Sequence, residues 1–224
     1  MDKVTEVALR YDEVLSEVRG INPGATLVLA SKTVPREVLE GLVNLRPGVI
    51  YGENRVQELL SKYFFQEGLT WHFIGRLQTN KVKYIVDKVS LIQSVDSLRL
   101  AEEIERRSAK ISKVMDILVE VNVGGEQSKG GVRKEEMAAL LSEIGKMPHL
   151  RLRGLMSVLP ATDETQLTPL YDELYSLFIK TKEAFGGDAD FILSAGMSGD
   201  YPIALRHGST MVRVGSRVFG ERHY

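Results

Sequence analysis

Hydrophobic positions along this chain follow two alternating rhythms. Val4, Val7, Ala8, Tyr11, Val14, Leu15 and Val18 recur at helical spacing, which predicts an opening amphipathic helix ended by Gly20 and Pro23. Thr26-Leu27-Val28-Leu29-Ala30 follows as a short β-rich run, apolar on both faces. That is the pattern of a strand covered on both sides in a parallel sheet. The unit then returns. Further strands are expected at Val49-Ile50-Tyr51, Trp71-His72-Phe73-Ile74, Ser90-Leu91-Ile92-Gln93, residues 113–121, residues 152–158, Phe191-Ile192-Leu193 and Met211-Val212-Arg213-Val214. Helical patterns lie between them, over 54–65, from about 79 onward, over 97–109, 134–146 and 164–184, and near Tyr201. A short helical turn closes the series.

Strands that alternate with helices make a parallel sheet, and eight such units in 224 residues point to a closed barrel. The expected fold is α/β: a single (β/α)8 TIM barrel with an extra N-terminal helix, residues 1–224 forming one domain. An open, doubly wound sheet is the alternative. No linker, low-complexity tract or clear sequence repeat divides the chain.

Composition narrows the function classes. Hydrophobic residues are 43% and charged residues 26%, ordinary for a soluble globular protein. A formal net charge of −1 gives no global attraction to nucleic acid or to an anionic membrane. Without cysteine there is no disulfide, thiolate nucleophile or cysteine metal site, which is compatible with a reducing cytoplasm. Residues 1–6 lack the apolar run of a signal peptide, and no segment is long and apolar enough for a transmembrane helix. His72, His149, His207 and His223 fall in no metal-ligand spacing, so no metal is expected.

In a (β/α)8 barrel, reactive groups sit at the C-terminal ends of strands. Strand one ends Ala30-Ser31-Lys32-Thr33. A lysine there can meet apolar walls that disfavour an ammonium and free a nucleophilic amine for carbonyl capture, or it can lie along the rim with its charge in water. Asn54, after strand two, can present its amide to a ligand or cap the following helix. His72, inside strand three, is either functional or a hydrogen-bonded core residue. Strand five runs into a glycine-rich loop, residues 124–131, with a second lysine, Lys129. Met156 can face a ligand ring or fill the core.

Strands seven and eight say more. Leu193-Ser194-Ala195-Gly196-Met197-Ser198-Gly199-Asp200 and Val212-Arg213-Val214-Gly215-Ser216-Arg217 each pass from strand through small residues to a helical turn. Unpaired N–H groups at such a turn bind phosphate, and this is the usual phosphate position in the fold. Gly and Ser also make ordinary turns. A lysine after strand one, with phosphate after strands seven and eight, suggests a phosphorylated carbonyl compound. Pyridoxal phosphate (PLP) is one; an aldolase substrate is another.

The ordered set Ala30-Ser31-Lys32-Thr33, Gly52-Glu53-Asn54-Arg55-Val56-Gln57-Glu58, His72-Phe73-Ile74-Gly75, Arg153-Gly154-Leu155-Met156, Gly196-Met197-Ser198-Gly199-Asp200, Val212-Arg213-Val214-Gly215-Ser216 and Phe219-Gly220-Glu221-Arg222 resembles the YggS/PROSC family of PLP homeostasis proteins. The resemblance runs the length of the chain. It implies a barrel like the N-terminal domain of alanine racemase (PLP fold type III), with PLP held as a Schiff base on Lys32. It also implies that Arg213 faces the pyridine nitrogen, that Ser198 and the backbone of Gly215 and Ser216 hold the phosphate, and that Asn54 and Met156 lie near the ring. Gly130 and Arg76 depart from the family pattern at the barrel mouth.

Three functions compete: a non-enzymatic PLP carrier that buffers or delivers the cofactor, a PLP-dependent racemase-like enzyme, and a Schiff-base aldolase. Two-base racemization needs an acid/base group on each face of the bound substrate. The racemases draw one from a second domain and a partner subunit, and this sequence ends at Tyr224 without such a domain. The expectation is therefore a non-catalytic, monomeric, cytoplasmic carrier with no catalytic residues, binding PLP and passing it to apo PLP-dependent enzymes.

Overall fold

The computed structural model describes residues 2–126, 129–185 and 190–220. Gln127 and Ser128 of the glycine-rich loop, Glu221 and Arg222 of the last motif, and His223 lie outside the described residues. Eight strands form the barrel: β1 (Thr26–Ala30), β2 (Ile50–Glu53), β3 (Thr70–Phe73), β4 (Leu91–Val95), β5 (Met115–Asn122), β6 (Leu150–Met156), β7 (Ile192–Ser194) and β8 (Met211–Val214). They pair in parallel in the order β4-β3-β2-β1-β8-β7-β6-β5, and a β4–β5 ladder through Leu91↔Asp116 and Ile92↔Ile117 closes the ring. That ladder excludes the open, doubly wound alternative. Two ladders shift register, between Ile92 and Val95 and between Ile117 and Leu118.

The outer layer is α1 (Lys3–Ile21), α2 (Arg36–Leu45), α3 (Val56–Lys62), a 3-10 helix (Thr79–Tyr84), α4 (Leu98–Lys110), α5 (Lys134–Ile144), α6 (Glu164–Ala184), α7 (Tyr201–Arg206) and α8 (Ser216–Phe219). α1 is the extra helix. The Asp2 carboxylate caps it by accepting from the N–H groups of Val4 and Thr5, and it buries Val7, Ala8, Val14 and Val18 against α2, α7 and α8. Each valine buried there is worth about 1.5–3 kcal/mol relative to exposure. α1 thereby seals the seam between the first and last units.

Two helices differ from the pattern-based expectation. The helix expected over 54–65 runs only Val56–Lys62, because Tyr63 turns extended (φ −60°, ψ 133°) and sends the chain toward β3. The third unit carries a six-residue 3-10 helix instead of an α-helix, the kind of short connector in which that tighter geometry is common. Residues Val132–Arg133 also add an unforeseen two-residue parallel bridge to β5.

The barrel interior is stratified. Val28, Leu91, Leu118, Met156 and Met211 form an apolar floor. Successive strand residues alternate faces, so the next inward positions are two residues further along. On four strands these are polar: Gln93, Glu120, Ser194 and Arg213. On β1 and β6 they are Ala30 and Val158, which line a cavity at the mouth. Among the described residues no helix is long and apolar enough to cross a membrane, and no group of three His, Asp or Glu side chains could hold a metal ion.

Candidate functional site

Lys32 stands two residues past the end of β1, on a backbone held by a buried ionic cluster. Glu53, the last residue of β2, is fully buried. Its Oε1 accepts from the backbone N–H of Asn54 (2.7 Å) and Arg55 (3.2 Å). Its Oε2 accepts from the Ser31 hydroxyl (2.9 Å) and pairs with Lys62 Nζ (2.5 Å). Lys62, also buried, donates to the Ser31 carbonyl at 2.6 Å. One carboxylate thus ties the ends of β1 and β2 together. Thr33, immediately after Lys32, has φ 65°, a region that strains a β-branched residue. It is kept there by its N–H bond to Glu58 Oε2 (2.9 Å) and its hydroxyl bond to the Lys32 carbonyl (2.6 Å).

The Lys32 side chain itself is half-buried, and among the described residues its Nζ has no hydrogen bond or ion pair. In place of closed apolar walls it meets two cavities, one of about 600 Å³ toward the barrel axis and one of about 240 Å³ toward Lys3 and Phe219. Asn54 is not a helix cap: Arg55 takes that position in α3, without a side-chain bond. The Asn54 amide is left to line the larger cavity. Gly75 holds this loop in place, since a Cβ there would lie 2.2 Å from the Asn54 carbonyl oxygen.

Across the mouth, Arg213 is buried on β8. It donates to the Ser194 hydroxyl (2.6 Å) and the Ser157 carbonyl (2.9 Å). Ser194 donates to Gln93 Oε1 (2.7 Å), and Gln93 Nε2 donates to His72 Nδ1 (3.1 Å). His72 is therefore a hydrogen-bonded core residue; burial pushes its pKa down to about 3 and keeps it neutral. Burial also lowers the Arg213 pKa, opposed by the charge of Glu120. Glu120, in the same layer, has no hydrogen bond or ion pair among the described residues. Burial, with Asp96 nearby, raises its pKa to about 7, against the pull of Arg213 and Arg76.

The loops after β7 and β8 meet through one bond: Gly215 N–H donates to Ser198 Oγ at 3.1 Å. Gly196 turns the first loop with φ 98°. Asp200 shapes it by accepting from Met197 N–H (2.7 Å) and the Tyr171 hydroxyl. Gly215 precedes α8, whose opening N–H groups have no acceptor within the helix.

The larger cavity brings together Lys32, Asn54, Ser198, Arg213, Gly215 and Ser216. Met156 is not among its lining residues. It lies in the apolar floor, 1% exposed, and Val158 two residues on reaches the cavity. Lys129 lines a different cavity and donates to the Leu159 carbonyl at 2.8 Å. Gly130 packs against Glu120, a Cβ there falling 3.0 Å from Oε1. Sequence reading assigned no role to Glu53, Lys62 or Glu120. The signal was present: Lys62 falls on the buried face of α3 with Val56 and Leu59, and Glu120 interrupts an apolar strand.

An amine without a bonded partner among the described residues, a buried guanidinium and two glycine-serine loops meet at one barrel mouth, in a domain of the alanine racemase N-terminal type. The family description "Alanine racemase, N-terminal domain" matches residues 52–223. An alanine racemase of Clostridium difficile has the same fold, with TM-score 0.76 at 16% identity over 98% of this chain and 58% of its own. The "Pyridoxal phosphate homeostasis protein" of Aquifex aeolicus is 45% identical over 203 residues, 89% of this chain and 88% of its own. PipY of Synechococcus elongatus, in a structure with PLP bound, superposes with TM-score 0.85 at 28% identity, covering 96% of this chain and 100% of its own. The chain belongs to the pyridoxal phosphate homeostasis protein family.

Proposed function

We propose that this chain binds PLP in the larger cavity as a Schiff base on Lys32 and holds or delivers it without catalysing a reaction on it. The observation that carries the reading is that one cavity contains an amine without a hydrogen bond or ion pair among the described residues, a buried arginine and the paired loops of Ser198 and Gly215. These donors fit a phosphorylated aromatic aldehyde, and about 600 Å³ lies within the ordinary range of small-molecule sites. When bound, the aldehyde would be captured by the Lys32 amine. Arg213 would present a positive donor to the ring nitrogen, a group that does not protonate it. Ser198 and the backbone of Gly215 and Ser216 would hold the phosphate, and Asn54 would flank the ring.

The carrier reading is favoured over a racemase by what lines the cavity. Among the described lining residues Lys32 is the one amine, and the other charged group, Arg213, is a guanidinium unsuited to giving up a proton. A second base for the opposite face is missing among the described lining residues. The reading takes the chain as one PLP-binding domain, a cytoplasmic monomer that passes PLP to apo enzymes and acts on neither nucleic acid nor membrane.

The test is spectroscopic. The purified protein should absorb as an imine of PLP, and borohydride should fix a PLP-sized adduct on Lys32, located by mass mapping. Lys32→Ala should abolish the band. An adduct on another lysine of the wild-type protein overturns the assignment. Incubation with an apo PLP enzyme should restore that enzyme's activity, and amino acids should racemize no faster than with free PLP. Lys32-dependent racemization would establish the enzyme reading.

A further inference from the structure

Beside the PLP cavity lies a larger one, of about 750 Å³, which shares Asn54 with it. It sits between the loop after β2, the 3-10 helix and the start of α4. Its floor is apolar: Val56, Leu77 and Leu100 are each 5% exposed or less. Its rim is cationic. Arg76, Lys81 and Arg99 line it, and among the described residues none of the three side chains has a hydrogen bond or ion pair. The amides of Gln78 and Asn80 line it as well, also without side-chain hydrogen bonds among the described residues. A fourth cation, Arg55, is shared with Glu58 at 3.8 Å. The opposing charge is Asp96, whose carboxylate accepts from Ser97.

This arrangement contrasts with the rest of the surface. Elsewhere basic side chains commonly meet a carboxylate on their own or a neighbouring helix, as Arg106 and Arg107 meet Glu103 and Arg46 meets Asp12. Here three cations face one concavity without a hydrogen bond or ion pair among the described residues, in a protein of net charge −1. A concave site with low-dielectric walls focuses such a field and draws in counter-charge. Apolar floor, convergent amides and unpaired cations are the make-up of a small-ligand pocket. We propose that this cavity is a second binding site, for a small organic anion bearing a carboxylate or phosphate on an apolar body. Its place at the shared Asn54 sets a bound anion next to the Lys32 cavity. The proposal goes beyond the PLP reading and does not depend on it.

The test is calorimetric titration of two forms: protein whose Lys32 has been fixed with PLP by borohydride, and Lys32→Ala protein. The ligands are α-ketoisocaproate (a carboxylate with an apolar body), PLP, and pyridoxal, which lacks the phosphate. At least one anion should bind saturably and more weakly at high salt. The same binding should fall at least about tenfold in an Arg76→Ala/Lys81→Ala/Arg99→Ala variant, as expected when charge-assisted contacts are lost. Among the described residues the three side chains make no hydrogen bond or ion pair, so the variant should keep its circular dichroism and melting temperature. Binding of the keto acid identifies a carboxylate ligand, and binding of PLP a phosphate one. The proposal is overturned if neither anion binds, if the triple variant binds undiminished, or if pyridoxal binds as well as PLP. Failure of borohydride to modify Lys32 would count against the preceding reading alone, because the Lys32→Ala protein is titrated in parallel.

Discussion

The two sides of the Lys32 cavity are held by opposite means. On the β1–β2 side, a fully buried carboxylate is saturated: Glu53 meets Lys62, Ser31 and two backbone N–H groups. On the β5–β8 side, buried Arg213 is held by a hydroxyl and a carbonyl, and buried Glu120 has no bonded partner among the described residues. A carboxylate with all its acceptor positions engaged fixes geometry, as the strained Thr33 next to Lys32 requires. An unsaturated one yields by changing protonation, and the Glu120 pKa of about 7 expresses that. The first side is built for rigidity; the second responds to pH.

Breaking the saturated cluster should have the largest effect. Lys62→Met leaves Glu53 charged and buried without its cation, which should cost about 3–5 kcal/mol in urea unfolding. Glu53→Gln in the same chain should recover part of that loss. A single-variant cost under about 1 kcal/mol would show that the pair is not what holds the strand ends.

The next effect is in the pH profile. The folded-state value for Glu120 is about 7, above its ordinary 4.5. Between those values the folded protein keeps a proton that the unfolded chain has released, so stability falls as pH rises through the window. His72 acts oppositely. Its folded-state value of about 3 lies below the ordinary 6.5, so stability rises with pH between them. Where the windows overlap the slopes partly cancel. Glu120→Gln should remove the descent, expose the His72 ascent and stabilise the protein above pH 7 by up to about 3 kcal/mol. Thermal melts across pH would check this; parallel curves for variant and wild type would refute it.

Smaller changes belong to the loops after β7 and β8, the proposed phosphate site. Ser198→Ala should weaken PLP binding by about 1–2 kcal/mol, one charge-assisted hydrogen bond, while Gly215→Leu should do worse by blocking the backbone's approach. Equal, negligible effects in a PLP titration would remove these loops from the site. The smallest effect sharpens the contrast with the buried pair. Lys146→Ala breaks an ion pair with Glu143 in which both side chains are well exposed, and should cost no more than about 0.5 kcal/mol.

Much of this could be read along the chain. Short runs apolar on both faces placed β1 and β8 residue for residue, and the helical period placed α6 at its observed bounds, because those segments carry apolar surface that must be buried whatever surrounds them. Glycine-serine turns after the last two strands marked Ser198, Gly215 and Ser216, and a lysine just past β1 marked Lys32, since barrel topology alone brings strand ends to one mouth. Other features had no local signature. Whether Met156 or Val158 reaches the cavity depends on how deep in the barrel each layer lies, and Met156 proved to be floor. Arg55, not Asn54, holds the cap position before α3, and Glu53 accepts from the N–H groups of both. The Glu53–Lys62 pair, the Glu120 environment and the unpaired Arg76, Lys81 and Arg99 depend on contacts between separate β/α units. Local pattern records which residues must be buried, because burial is a property of each element's own faces. Which charges meet, and which are left without partners, is settled when those elements close into a ring and distant side chains come to share one interior.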